Sequence, residues 1–432
     1  MINSSATLES PAVAVPVRIN EARLWDALMS LANIGATPKG GVCRLALTDL
    51  DKQGRDLFVA WAKAAGCAVR VDQVGNIFAR RAGHDDSLPP VMTGSHIDTQ
   101  PTGGKFDGNY GVLAGLEIIR TLNDHNIQTV APIEVAVWTN EEGSRFVPVM
   151  MGSGVFAGAF PLEEVLPQTD REGLSVGAEL QRIGYAGTTP CANFPINTYF
   201  EAHIEQGPIL EATNNTIGVV TGALGQRWYD VTLVGMEAHA GPTPMELRKD
   251  ALLAAAGLIQ KVNQIALNHA PHARATVGWL DVFPNSRNVI PGTVKFSVDL
   301  RAASDDVLGA MDGELKAACA ALNAQQRVST VLEQVVYFPP QPFHDEQVGA
   351  VRNAARQLAL PHIDIVSGAG HDAVYLARVA PTAMIFIPCK DGISHNEIED
   401  AAPEHIEAGC NVLLLAMLAQ AGIVQPETQA LS

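Results

Sequence analysis

The stretch Pro90-Val91-Met92-Thr93-Gly94-Ser95-His96-Ile97-Asp98 sets a short apolar run directly before a turn that carries a histidine and an acid. Short apolar runs bounded by glycine, proline or polar residues read as buried strands. Pro90–Thr93 is one, and Val69–Val71, Asn76–Ala79 and Ile133–Trp138 are others. Between Pro90–Thr93 and Ile133–Trp138 lies Gly111–Leu122, whose apolar spacing is helical. Strand, helix and strand in that order argue for an α/β core with a mixed, largely parallel sheet. His96 then falls near a carboxyl end of the sheet, the edge where open α/β sheets bind ligands.

Working outward, residues 21–33 repeat Leu24, Leu28 and Leu31 at helical spacing. Residues 54–65 do the same, with Gly66 placed to end that helix. Residues 160–198 read as irregular. After Gly222 the pattern changes. Trp228–Val234 alternates as a strand, Arg248–Ile265 is helical, Thr276–Val282 and Thr293–Leu300 are strands, and Ser304–Leu322 is a second helix. Residues 222–337 therefore read as an α+β domain inserted into a first domain made of 1–221 and 338–432. In that last segment Ala350–Ala359, Val374–Ala377 and Ala383–Ile387 restore the α/β character, and the helix Ile406–Ala421 closes the core.

The 432 residues exceed one compact core, in keeping with two domains. A formal charge of −17 argues against nucleic acid and anionic membranes as partners. An anionic substrate would then need a local basic group. No apolar run reaches the roughly 18 residues of a membrane span. Residues 1–17 lack a basic leader region and read as a frayed tail rather than a signal peptide. Cys43, Cys67, Cys191, Cys319, Cys389 and Cys410 form no CxxC pair, which reads as reduced thiols in a cytoplasm.

Five polar segments carry candidate chemistry. His96-Ile97-Asp98 fits a metal ligand backed by a carboxylate, although a lone His-x-Asp is more often incidental. Asp107 sits among Gly103, Gly104, Gly108 and Gly111, either as a helix cap or as a rigidly held carboxylate able to bridge two ions. Glu141-Glu142 follows Ile133–Trp138 and is either a solvated turn or a proton acceptor beside a ligand. His203, in Glu201-Ala202-His203-Ile204-Glu205-Gln206-Gly207, and His395, in Gly392-Ile393-Ser394-His395-Asn396-Glu397, are unremarkable singly. Together they change the odds. A metal needs about three protein ligands and an open position. His96, Asp107, Glu142, His203 and His395 supply two divalent ions if Asp107 bridges, and Glu141 is left over as a base.

These motifs resemble those of the dinuclear-zinc aminoacylase/carboxypeptidase superfamily, in its carbamoylase branch of N-carbamoyl-L-amino acid hydrolases, β-ureidopropionases and allantoate amidohydrolases. The resemblance runs from about residue 20 to 420. It implies a zinc-peptidase-like catalytic domain with an inserted lid and dimerisation domain, and a homodimer. It implies one ion on His96, Asp107 and His203, and a second on Asp107, Glu142 and His395. It makes Glu141 the general base and Asp98 the acid that orients His96. Histidine at 203, where the peptidase branch places an acid, and Gln206 resemble the carbamoylases. In the inserted domain His239 resembles the group that polarises the scissile carbonyl, and Asn288 and Arg301 resemble a clamp for the substrate carboxylate. Gly370 and His371 match a substrate-facing loop.

The expected reaction is hydrolysis of an N-carbamoyl or ureido acid to amino acid, ammonia and carbon dioxide. Thr99–Lys105 and Val137–Asn140 resemble β-ureidopropionases and favour N-carbamoyl-β-alanine. Allantoate is the runner-up, and peptide hydrolysis is third. The ligand set suits zinc, with manganese, cobalt or nickel as alternatives.

Overall fold

The computed structural model describes residues 17–191, 194–325 and 327–425. Val17, read with the tail, is buried in the core, and the rest of the tail lies outside the described residues.

The larger sheet is mixed with a parallel centre. Ile133–Trp138, Val91–His96, Thr198–Ile204 and Thr382–Ile387 lie side by side in that order, all parallel. Every residue of these four strands is buried. Strands covered on both faces read as continuous apolar runs, which is why three of them stand out in the sequence. Antiparallel neighbours extend the sheet on both sides: Ile77–Arg81 and Ala68–Val71 at one edge, Ile217–Ala223 and Gln341–Pro342 at the other. His362–Ser367 adds a parallel strand on Ile217–Ala223. The helices Asn109–Asp124 and Pro403–Ala421 pack on the central strands and on each other.

A second, antiparallel sheet follows the order Leu280–Phe283, Thr293–Ala302, Gly225–Val234, Ser329–Phe338, with Arg274–Thr276 also on Thr293–Ala302. The helices Ala251–Asn268 and Asp305–Ala324 cover one face. Its core is separate: Tyr229, Val231, Leu233, Phe296 and Val298 meet Leu258, Val262, Met311 and Leu315 there.

Several elements depart from the sequence reading. The second helix starts at Asp49, capped by the Thr48 hydroxyl, rather than at 54. Gly54 hides those first turns, and it is small because the Arg44 side chain lies against it. The segment 160–198 contains the short helices Leu162–Val165 and Val176–Ile183. The strand expected over 276–282 is broken into Arg274–Thr276 and Leu280–Phe283 around Gly278. Ser329–Phe338 went unread, since its outer positions face solvent and dilute the pattern. No helix among the described residues is long and apolar enough to cross a membrane, and all six cysteines are unpaired.

Candidate metal centre

The parallel strands deliver the candidate ligands to one edge of the sheet. Val91–His96 and Thr198–Ile204 pair in a register that sets Thr93 beside Phe200. Three residues further along both strands, His96 stands level with His203, and their rings lie 6.2 Å apart. Both histidines therefore sit within strands, not in loops as the sequence reading had them. Glu141 and Glu142 follow the next strand, Ile133–Trp138, and His395 follows Thr382–Ile387. Asp107 precedes the helix that starts at Asn109. The residue between, Gly108, has φ +65°, and a Cβ there would stand 2.4 Å from the His96 ring. Only glycine lets the loop pass that close.

Asp107 is the hub. Its Oδ1 lies 3.2 Å from His203 Nε2 and 3.7 Å from His96 Nε2. Its Oδ2 lies 3.3 Å from His395 Nε2, which is 3.4 Å from Glu142 Oε2. Two triads thus share one carboxylate: His96, Asp107 and His203, and Asp107, Glu142 and His395. His96 Nδ1 lies 2.9 Å from the Asp98 carbonyl and His203 Nδ1 2.9 Å from the Ile204 carbonyl. Donation of Nδ1–H to those carbonyls leaves each Nε2 lone pair aimed inward, as a metal ligand requires.

The electrostatics fit a cation. Burial presses His96 down to about 4. Burial also presses on His203, but Asp107 outweighs it and holds that ring at about 9. The hydrogen bond to Asp107 lifts His395 to about 9. Burial and the neighbouring Asp107 charge push Glu142 up to about 8. Burial, then Asp372, Glu142, Asp98 and Asp107, drive Glu141 well above the carboxylate range. Mixed histidine and carboxylate donors around open space suit zinc and its first-row neighbours.

Glu141 stands outside both triads, with Oε2 3.5 Å from His96 Nε2. Asp98 holds it in an unexpected way. The Asp98 carbonyl orients His96, while the carboxylate accepts from the backbone N–H groups of Glu141 at 3.2 Å and Glu142 at 3.3 Å. Gln206 donates to Asp107 Oδ2 at 2.8 Å, and its own carbonyl oxygen is buried without a partner among the described residues. The His371 ring lies 4.6 Å from that of His203, and its Nε2 is 2.8 Å from the Ser367 hydroxyl. Arg301 pairs with Asp299 at 2.9 Å and donates to the Gly368 carbonyl at 2.8 Å. Arg301 and Gly370 line one cleft between the two sheets.

His239 and Asn288 are brought to each other but not to this cluster. Ala238–His239 pairs with Val289–Ile290, and the Ala240 N–H donates to the Asn288 carbonyl at 2.9 Å. Among the described residues no hydrogen bond or ion pair joins either side chain to the triads.

The sequence reading missed several supporting groups. Arg44, fully buried, donates to the carbonyls of Ile97, Leu31 and Ile34 and to Asn109 Oδ1, tying the His96 strand end to the Asp107 helix. Glu201, also buried, accepts from Ser95 Oγ and the Ala373 N–H, both at 2.8 Å. Glu399 accepts from the backbone at Asp107. Glu201 and Glu399 lie close to quoted histidines in sequence, a signal that was available. Arg44 had none.

Comparison with known proteins agrees with this geometry. The pattern of the peptidase family M20/M25/M40 matches residues 92–419. The chain belongs to that family. An N-carbamoyl-L-amino-acid amidohydrolase of Rhizobium meliloti is 48% identical to this M20 protein over 408 residues, 94% of this chain and 98% of the relative. An N-carbamoyl-L-amino acid amidohydrolase of Geobacillus stearothermophilus is 37% identical over 398 residues, 90% and 96% of the two chains. The crystal structure of an amidase of the hydantoinase/carbamoylase family from Burkholderia multivorans aligns with a TM-score of 0.92 at 62% identity, covering 94% of this chain and 99% of that one. The M20 protein described here is thus a metal-dependent amidohydrolase of the hydantoinase/carbamoylase branch.

Proposed function

We propose that this amidohydrolase cleaves the carbamoyl C–N bond of N-carbamoyl-L-amino acids, using two divalent ions per subunit, zinc foremost. One observation carries the reading: the two oxygens of a single buried carboxylate, Asp107, face two separate triads. Beside them Glu141 remains free for proton transfer.

Divalent ions bound in such triads acidify water and polarise a carbonyl. Glu141 takes the proton of the attacking water and returns it to the departing nitrogen. Adjacent cations would offset the burial and like charges that raise its proton affinity, leaving it ionised to accept that proton. Asp98 fixes the peptide that carries Glu141 and Glu142. Arg301 offers a planar guanidinium to the substrate carboxylate, with Asn288 as its companion. It answers the need for a local basic group in an acidic chain. His239 donates to the oxyanion that develops on the carbamoyl oxygen. Gln206, Gly370 and His371 line the substrate. Free amino acid, ammonia and carbon dioxide leave.

His239 and Asn288 lie apart from the triads within one chain and must be brought to them. Residues 222–337 act as a lid and dimerisation domain on the catalytic domain 1–221 and 338–432. The lid residues reach the metals by closure or from the second subunit of a homodimer.

The names of the relatives at 48% and 37% identity support L-α-amino acids as the carried group. N-carbamoyl-β-alanine is the second reading, resting on Thr99–Lys105 and Val137–Asn140. The test is ammonia release by metal-loaded protein from several N-carbamoyl-L-amino acids, N-carbamoyl-β-alanine, allantoate and a dipeptide. Turnover of the L-amino acid series, abolished by a chelator, is expected. Turnover of the dipeptide alone would overturn the reaction class.

A further inference from the structure

One buried carboxylate outside the ligand set touches the loops of both Asp107 and His395. Glu399 is 2% exposed and lies four residues past His395. Its Oε1 accepts from the backbone N–H of Phe106 at 3.0 Å and of Asp107 at 3.1 Å. Its Oε2 accepts from the Ser394 hydroxyl at 2.8 Å, and Ser394 Oγ also lies 3.0 Å from Asp107 Oδ2.

The opposite wall is shaped for this carboxylate. A Cβ on Gly104 would stand 2.0 Å from both the Glu399 carboxylate carbon and Oε1, and the three nearest atoms all belong to that group. Gly104 shows no positive φ, so its smallness serves the carboxylate rather than a turn.

We propose that Glu399 is a positioning residue that clamps the backbone of the bridging Asp107 to the His395 loop and so sets the spacing of the two ion sites. The inference rests on the dinuclear reading above. Charge-assisted bonds to two adjacent N–H groups fix the peptide plane at Asp107, and with it the direction of the side chain. The Ser394 hydroxyl, whose single proton goes to Glu399 Oε2, ties the His395 loop to the same carboxylate. Glu399 acts through Asp107 and touches no substrate.

The test is zinc affinity by chelator competition, with metal counted per subunit, for wild type, Glu399→Ala, Glu399→Gln, Gly104→Ala and the double variant Gly104→Ala/Glu399→Ala. Loss of an outer partner of a metal ligand costs about 10–100-fold in affinity, and Glu399→Ala should lose that much. Glu399→Gln should keep most of it, because its carbonyl still accepts both N–H groups and its amide still meets Ser394. Gly104→Ala should lose as Glu399→Ala does, by expelling the carboxylate. The double variant should be no worse than Glu399→Ala alone, because the clash is gone. Wild-type affinity in Glu399→Ala, losses that add in the double variant, or a Glu399→Gln as impaired as Glu399→Ala would each overturn the clamp. If Glu399→Ala does not fold, Gly104→Ala decides, and full affinity there overturns it. A wild type that binds fewer than two ions would instead defeat the dinuclear reading, and the clamp with it.

Discussion

Filling the metal centre must expel protons. Without metal, His203 and His395 are held at about 9 and Glu142 at about 8. Each must be deprotonated to ligate. At pH 7 all three carry a proton, so loading both sites should release about three per subunit, with a further fraction from Asp98 and Glu399, which burial raises to about 7. His96, pressed to about 4, is already neutral and adds none. Glu141 adds a fourth if the adjacent cations draw off its proton. The groups meet on Asp107, so they titrate as one cluster rather than as independent sites. The sign follows from ligation needing the deprotonated forms. Affinity rises with pH from 7, flattens above about 9 and falls steeply in acid. With about three protons displaced, the overall two-ion constant changes by up to roughly a thousandfold per pH unit at the acid end. Titration calorimetry of zinc into metal-free protein, in buffers of different ionisation enthalpy, reads the proton count directly. His395→Ala should lower that count by about one. A heat independent of buffer, or an affinity flat between pH 6 and 8, would refute the linkage and remove Asp107 as the group that holds the two histidines.

Glu141→Gln should keep both ions and lose about 10²–10⁴-fold in kcat, the usual worth of a general base. Near-normal turnover at full metal content would sink that role. Arg301→Ala should raise KM for carboxylate substrates roughly tenfold or more, since hydrogen bonds to charged groups are worth about 1.5–3 kcal/mol. An equal loss on uncharged amide analogues would count against a carboxylate clamp. Arg44→Met should cost about 3 kcal/mol or more of stability, because three carbonyls and Asn109 Oδ1 lose a buried donor at about 1–3 kcal/mol each. Urea unfolding reads it, and a shift below about 1 kcal/mol would mean that water or a neighbour replaces the guanidinium.

Legibility in the sequence followed burial on both faces and residue type. Ile133–Trp138 reads directly because all six residues are buried and five are apolar. The five ligand candidates read because imidazoles and carboxylates beside strands have few other uses in such numbers. What did not read acts through the backbone. Arg44 binds mainly carbonyls, which every residue possesses, so no pairing pattern marks it, and Glu399 is marked only by its nearness to His395. Asp98 shows the same limit. Its place beside His96 suggested a contact between side chains, but the contact to the ring is made by its carbonyl. Its carboxylate serves a turn 43 residues away.

Thr198–Ile204 was hidden by the residues that make it useful. A fully buried strand with Glu201 and His203 inside breaks the apolar run by which its neighbours are recognised. A buried carboxylate is tolerable only when its lone pairs are met. Glu201 meets Ser95 Oγ on the adjacent strand, the Tyr199 hydroxyl on its own strand and the Ala373 N–H at the start of the helix Asp372–Leu376, which follows directly on His371. The same acid that masks the strand therefore locks three pieces together: the His96 strand, the His203 strand and the His371 loop. Glu201→Gln would put an amide N–H₂ against at least one of those three donors. The cost should fall on the placement of His203 as well as on stability, as a loss of metal affinity that Glu201→Leu, which removes the acceptor of all three donors, would deepen. If Glu201→Leu bound zinc as tightly as wild type, the register of the strands alone would be enough to hold His203, and the buried acid would have no part in the site.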